Sequence, residues 1–263
     1  MKIIDAHNHL FGKPLFNPDE YLDGLIQTMD KCGIEKTALS GLGRDFSCGT
    51  NDDVKRAMQR YPERILGAYY IRPGIGKSVD LDQAYADGFS MVKVTIPTAG
   101  YDSEDFYPIW EKAQELKMPV LFHTGVVTTF IENPDLGVNS WWMHPMRIEP
   151  ICNAFPNLKV IVAHMGVHWN EDAAELVRMK KNAYVDLTGE PEGWRARARK
   201  IGVDHWLWWP DAFKKVIFGT DVTYNKIQIV LEQDQKMYSG MAISEETKQL
   251  IFHDNLMNML PSH

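Results

Sequence analysis

Eight short apolar, β-rich segments recur along the chain, around residues 2–7, 36–41, 65–71, 89–96, 119–124, 158–164, 183–188 and 215–220. Between several of them, apolar residues return every three or four positions, over Glu20 to Cys32, Asp52 to Arg60, Ser103 to Leu116 and Asp172 to Lys180. That is the period of an amphipathic helix. Strand and helix alternating through one domain-sized chain predict a parallel sheet covered by helices. Eight such units predict an α/β single domain with the (β/α)8 architecture of a TIM barrel. A doubly wound open sheet is the rival, but its glycine-rich dinucleotide turn after the first strand is missing from the sequence, where Gly12 follows a histidine pair instead. Gly33, Gly88 and Gly202 fall where helices are expected to end.

The chain has 263 residues, 44% of them hydrophobic, and can bury a substantial core. No linker, repeat or low-complexity tract divides it, so residues 1–263 read as one domain. After the fifth segment an excursion at about 126–151 carries Trp141, Trp142, Met143, His144 and Arg147, and is expected to cover the mouth of the barrel. A second aromatic cluster, Trp206, Trp208 and Trp209, precedes the eighth segment. Either cluster can seal a helix against the barrel or form a contact in a homo-oligomer, the expected assembly.

A formal net charge of -7, from 35 acidic and 28 basic residues, gives no electrostatic reason to expect nucleic acid or an anionic membrane as partner. No apolar run approaches the roughly 20 residues needed to span a bilayer. Cys32, Cys48 and Cys152 form no CxxC or evenly spaced framework, and the chain enters a strand pattern without a secretory signal, so a cytoplasmic location is expected. A small organic molecule is the default partner.

The first segment ends Asp5-Ala6-His7-Asn8-His9. Alternate residues of a strand point the same way, so His7 and His9 can converge on one ion while Ile4 and Asn8 face the other layer. The later polar residues gather at strand ends: His123 closes the fifth segment, His164 the sixth, and Asp221 follows the eighth. In a barrel these positions meet at the carboxyl-terminal mouth, and closure makes the first and eighth strands neighbours. Imidazoles and one carboxylate can hold a divalent ion with a position open to water or substrate. Singly, each histidine can equally be a hydrogen-bonded core residue, and Asp221 a helix cap.

These pieces resemble the amidohydrolase-related, metal-dependent TIM-barrel family, through Asp5-Ala6-His7-Asn8-His9, Pro119-Val120-Leu121-Phe122-His123-Thr124-Gly125, the block from Phe155 to Gly166 around His164, and Val216-Ile217-Phe218-Gly219-Thr220-Asp221. The resemblance spans most of the chain, and its most specific stretch is the block around His164. It implies one divalent ion, zinc first and manganese second, with His7, His9, His123 and Asp221 as ligands and His164 as the catalytic histidine beside them. Relatives include hydrolases of C–O and C–N bonds and non-oxidative decarboxylases. Some distant amidohydrolases bridge two metals with a carboxylated lysine on the fourth strand, where this chain has Lys93. The expectation here is an unmodified ammonium balancing Asp221 or Asp186, or holding a substrate carboxylate. A second glycine often follows the position of Gly166 in the family, whereas Val167-His168-Trp169 stands here.

The leading expectation is a hydrolase of a small carboxylate-bearing ester, lactone or amide, with metal-activated water, His164 as base and Asp221 as ligand and proton shuttle. The second is non-oxidative decarboxylation of a small aromatic or unsaturated acid, with His164 and Asp221 handling the proton. The third is a metal-stabilised binding protein without turnover. For a substrate carboxylate the candidates are Arg72 first, just beyond the third segment, then Arg44 and Arg147, each with a surface salt bridge as its alternative role. Glu190, at the exit of the seventh segment, can accept a substrate hydrogen bond, contact Lys93 or begin a helix.

Overall fold

A computed structural model describes residues 1–11, 18–127 and 133–261. Its eight strands are β1 (Ile4–His9), β2 (Lys36–Ser40), β3 (Ile65–Ile71), β4 (Met91–Val94), β5 (Val120–Phe122), β6 (Val160–Val162), β7 (Ala183–Asp186) and β8 (Val216–Ile217). They pair in chain order in one sheet, and every pairing is parallel. The ring is drawn together by hydrogen bonds from the Ala6 N–H to the Phe218 carbonyl at 3.0 Å and from the Asp221 N–H to the His7 carbonyl at 2.8 Å. This is the expected (β/α)8 barrel. Its outer layer includes α1 (Pro18–Cys32), α2 (Asn51–Arg60), α3 (Val79–Ala86), α4 (Tyr107–Glu115), α5 (Glu149–Ala154), α6 (Asn170–Met179), α7 (Trp194–Ile201) and α8 (Tyr224–Gly240).

Alternation along the strands divides the core in two. Ala38, Met91, Leu121, Ile161 and Ile217 point inward and meet Ile4, Ala6, Leu256 and Met259. Their strand neighbours Leu39, Val92, Val120, Phe122, Val160 and Val162 point outward against helix residues such as Leu25, Met29 and Trp110. Leu25 and Met29 are fully buried, and each such side chain stabilises the fold by roughly 1.5–3 kcal/mol. Gly33 and Gly88, at φ 68° and 92°, end α1 and α3 in the left-handed region. Several strands are shorter than their apolar segments; residues 89–96 supply only Met91–Val94 to the ladder. Thr95 and Ile96 stay buried beyond it, so hydrophobicity persists where pairing has stopped.

One irregularity decides the site. In β1, Asp5 pairs with Thr37 and Asn8 with Leu39, so three residue steps on β1 span two on β2. This one-residue bulge reverses the phase of the side chains. Simple alternation would set Ile4 on the face opposite the histidines, and that expectation is corrected here: Ile4 and Ala6 lie in the inner cluster, and after the bulge His7 and His9 turn inward as well. Asp5 holds the bulge. Its Oδ1 accepts from the His7 N–H at 3.2 Å and the Thr220 N–H at 3.0 Å, and its Oδ2 from Asn8 Nδ2 at 3.2 Å and the Thr220 hydroxyl at 2.6 Å.

Of the excursion at about 126–151, residues 128–132 lie outside the described residues. Val126 and Val127 line the mouth cavity. From Pro134 onward the chain runs through short 3-10 turns at Pro134–Leu136, Ser140–Met143 and Pro145–Ile148, with Met143 and Ile148 fully buried. Trp141 is 56% exposed and packs edge-on against Trp169. Of the second aromatic cluster, Trp206 is buried with its indole N–H on Glu171, while Trp208 is 63% exposed beneath Arg178.

Candidate metal centre

The strand-end histidines and Asp221 converge at the carboxyl-terminal mouth. His7 Nδ1 lies 2.8 Å from Asp186 Oδ2 and its Nε2 2.9 Å from Lys93 Nζ. His9 Nδ1 is 2.7 Å from Ser40 Oγ, and its Nε2 is 3.2 Å from Asp221 Oδ1. His164 Nε2 faces Asp221 Oδ2 at 3.7 Å, and the His123 ring lies 5.0 Å from that of His164. Ligand atoms of His7, His164 and Asp221 all lie within 4.8 Å of one another, a cluster suited to one divalent ion.

Burial and charge favour that donor set. Desolvation pushes His7 down to about 3, reinforced by Lys93 and opposed by Asp186 and Asp221. Burial also lowers His164, and His123 well below the usual imidazole range. Burial alone would raise Asp186 and Asp221, but His7 and its neighbouring imidazoles outweigh it and hold both carboxyls well below their usual range. Lys93 is pushed down to about 8 by burial, offset by Asp221 and Asp186. Neutral imidazoles beside ionised carboxylates are the protonation states a metal requires. His123 supplies a second sign: its Nε2 is buried without a hydrogen-bond partner among the described residues. Unpaired buried polar atoms are costly, and a bound cation would satisfy this one.

Backbone conformation aims the groups. After β6 the chain leaves the ladder through three consecutive left-handed residues, His164 (φ 57°), Met165 (φ 49°) and Gly166 (φ 69°), and Asp221 follows β8 at φ 49°. Each non-glycine residue there costs about 1–3 kcal/mol, a strain that persists only where the surroundings enforce it. Asp186 Oδ1 enforces it at His164 by accepting its N–H at 2.8 Å. Gly125, at φ 100°, lets the strand-five loop approach the same turn, since a Cβ there would sit 1.9 Å from the Val167 carbonyl oxygen.

A cavity of about 460 Å³ opens over this floor, lined by His9, Lys93, His123, His164 and Asp221 below and by Phe11, Leu42, Phe46, Val126, Val127, Val167 and Trp194 around the wall. His168, in the stretch that departs from the family pattern, also lines it. His7 does not, and meets the lining through its contact with Lys93. The arginines lie elsewhere. Arg72 donates through Nε to the Ile96 carbonyl at 2.8 Å and through a terminal nitrogen to the Leu136 carbonyl at 2.6 Å, so it holds the excursion. Arg147 pairs with Asp102 at 2.7 Å, and Arg44 is exposed on a 3-10 turn. Among the described residues Lys93 is the one lysine or arginine lining the cavity. Glu190 reaches its rim, where its carboxylate pairs with Lys226 at 2.5 Å.

The sequence offers Asp186 only as a counter-charge for Lys93 and gives no role to Ser40, Thr188 or the Asp5–Asn8–Thr220 network. Their signal was position: Asp186 closes β7 and Ser40 closes β2, at the mouth-facing ends.

A (β/α)8 barrel with a His/His/Asp cluster suited to a divalent ion at its mouth is the class that fold and site define together. The chain belongs to the amidohydrolase family, whose model matches residues 4–260. In sequence it is similar to Decarboxylase orsB of Emericella nidulans, 21% identical over 292 residues, covering 92% of this chain and 86% of that protein. In structure it is similar to a probable 2-pyrone-4,6-dicarboxylic acid hydrolase of Acinetobacter baumannii, with TM-score 0.67, 16% identity, and 98% and 99% of the two chains covered. It is similar also to 5-carboxyvanillate decarboxylase of Novosphingobium aromaticivorans, in complex with manganese and 4-hydroxy-3-methoxy-5-nitrobenzoic acid, with TM-score 0.64, 18% identity, and 98% and 95% covered. At these identities the structural likeness shows a shared fold. No helix among the described residues is long and apolar enough to cross a membrane.

Proposed function

We propose that this protein is a metal-dependent non-oxidative decarboxylase of a small aromatic or unsaturated acid, which reverses the order of the two enzymatic expectations above. The observation that carries the reading is the cavity: a floor of imidazoles, one ammonium and one carboxylate beneath a wall bearing Phe11, Phe46 and Trp194. A flat ring with one acidic edge matches both surfaces. Similarity along 92% of the chain to a protein named as a decarboxylase supports it, as does the solved relative that holds a substituted benzoic acid.

His7, His9, His123 and Asp221 are the residues that would hold one divalent ion, with His164 beside them as the proton-transfer residue. Zinc suits this donor set first, and the manganese of the solved relative supports manganese as the second choice. When bound, the cation supplies Lewis-acid charge for the oxygens at the acidic edge of the substrate. The chain's own groups do the rest. Lys93 faces a substrate carboxylate from the floor, and the aromatic wall excludes water from the ring. The bond from ring carbon to carboxylate breaks, its electron pair stays on the ring carbon, and carbon dioxide leaves. His164 Nε2 then delivers to that carbon a proton taken from a substrate hydroxyl or from solvent. Asp221, held ionised, steadies the imidazolium across 3.7 Å. Small acids are the partners of this site, and a cytoplasmic homo-oligomer is the setting we assign to it.

The test is a metal-supplemented panel of hydroxybenzoates, lactones and amides read by mass spectrometry, with His164→Ala as control. Loss of carbon dioxide from an acid is expected. Gain of water by a lactone or amide would restore the hydrolase reading, and tight binding without chemical change across the panel would favour the binding protein.

A further inference from the structure

Thr188 follows β7 by two residues, is fully buried, and takes no part in the cavity lining. Its hydroxyl touches three groups of the site, 2.6 Å from Asp186 Oδ1, 2.7 Å from His164 Nδ1 and 3.3 Å from His7 Nδ1, whose own proton goes to Asp186 Oδ2 at 2.8 Å. A hydroxyl has one proton, so it can donate across only one of these contacts. The neighbours of Asp186 decide which. Asp186 Oδ1 already accepts two backbone N–H groups that can only donate, from His164 at 2.8 Å and Thr188 at 3.1 Å. An oxygen so engaged carries no proton of its own. At 2.6 Å the Thr188 hydroxyl must therefore donate to it, because two bare oxygens at that separation repel.

With its proton committed, Thr188 Oγ1 turns a lone pair towards His164. A nitrogen 2.7 Å away needs a hydrogen in the gap, and it has to come from the ring. The Thr188 carbonyl, 3.4 Å from the same nitrogen, can only accept as well. We infer that Thr188 is a positioning residue that relays Asp186 to His164, fixing the neutral imidazole as its Nδ1–H tautomer and leaving Nε2 bare towards Asp221 and the cavity. An acceptor nitrogen facing a carboxylate at 3.7 Å leaves a gap that suits a shared proton or a cation. The relay thus decides which ring nitrogen of His164 is available for chemistry, by a hydrogen bond made on the far side of the ring. Trp194 donates its indole N–H to the Thr188 carbonyl at 2.8 Å, which links this relay to the cavity wall. The inference goes beyond the proposed reaction and holds for a hydrolase or a decarboxylase equally.

The tautomer is read directly by long-range proton–nitrogen correlation spectra of the imidazoles in the full chain, recorded after chelator treatment and again with zinc, with the His164 pattern assigned by its loss in His164→Gln. The wild-type protein is expected to show His164 as Nδ1–H under both conditions. Thr188→Val, which keeps shape and removes the hydroxyl, is expected to shift the chelator-treated ring to a mixture containing Nε2–H, and Thr188→Ser to restore the wild-type pattern. A wild-type His164 protonated on Nε2 would overturn the relay, as would a folded Thr188→Val protein whose pattern is unchanged. If Thr188→Val does not fold, the wild-type and Thr188→Ser spectra still decide the matter, because either one showing Nε2–H contradicts the inference.

Discussion

Lys93 Nζ lies 2.9 Å from His7 Nε2, with both side chains buried. The second nitrogen of His7 is tied to Asp186 at 2.8 Å, so the Nε2 lone pair that a metal would use is the one Lys93 engages. An ammonium group and a divalent ion at neighbouring positions repel, and burial strengthens the repulsion.

Lys93→Met is therefore expected to tighten zinc binding by roughly tenfold, about 1.4 kcal/mol, in competition with a chromophoric chelator. The same substitution removes the cation that faces the substrate, so turnover of an acidic substrate should fall. Weaker zinc binding in the variant would show that Lys93 supports the ion, as a bridging ligand would.

Removal of the ion is expected to lower thermal stability. A ligand at a hundred times its dissociation constant stabilises a protein by about 2.7 kcal/mol, which for a chain of this size corresponds to roughly 5–10 °C in Tm. Calorimetry before and after chelation, with zinc and manganese added back separately, measures the shift and ranks the two metals. Identical melting curves with and without metal would contradict the site.

Asp5→Ala should be among the more damaging substitutions outside the cavity. It takes one acceptor from the N–H groups of His7 and Thr220, the Asn8 amide and the Thr220 hydroxyl, leaving the Thr220 N–H only the His7 carbonyl at 3.2 Å, at a cost of about 2–5 kcal/mol. Urea unfolding gives that number. Because the bulge turns His7 and His9 inward, zinc affinity of the folded fraction should fall with it, whereas a purely global loss of stability would leave that affinity intact.

The thiols offer a test of burial. Desolvation pushes Cys48 and Cys152 up to about 12, so at pH 8 both stay protonated, and the thiol form is a poor nucleophile. Cys32 is only half-buried, with burial raising it less. Thiol titration at pH 8 is expected to find Cys32 reacting slowly in the native protein and all three cysteines reacting rapidly after denaturation. Rapid native labelling of Cys48, which lines the cavity, would mean that the mouth opens wider than described.

What the sequence determined by itself is the order of elements and the ends of the strands. Strand and helix periods are local properties of side chains, and an eight-unit barrel closes by a general rule, so the pattern alone places His7, His9, His123, His164 and Asp221 at one mouth. Directions were decided only by the tertiary structure. The bulge in β1 is a register relation between two strands, set by Asp5 reaching Thr220 across 215 positions, and alternation within β1 alone points Ile4 the wrong way. The arginines show the same limit: Arg72 sits at a strand exit as expected, yet the carbonyls of Ile96 and Leu136 engage its guanidinium. Thr188 carries no motif, and its role exists only because β6 and β7 bring His164 and Asp186 to either side of one hydroxyl. Local composition sets what a residue can do, but which partner it meets depends on chain paths that close only when the barrel does.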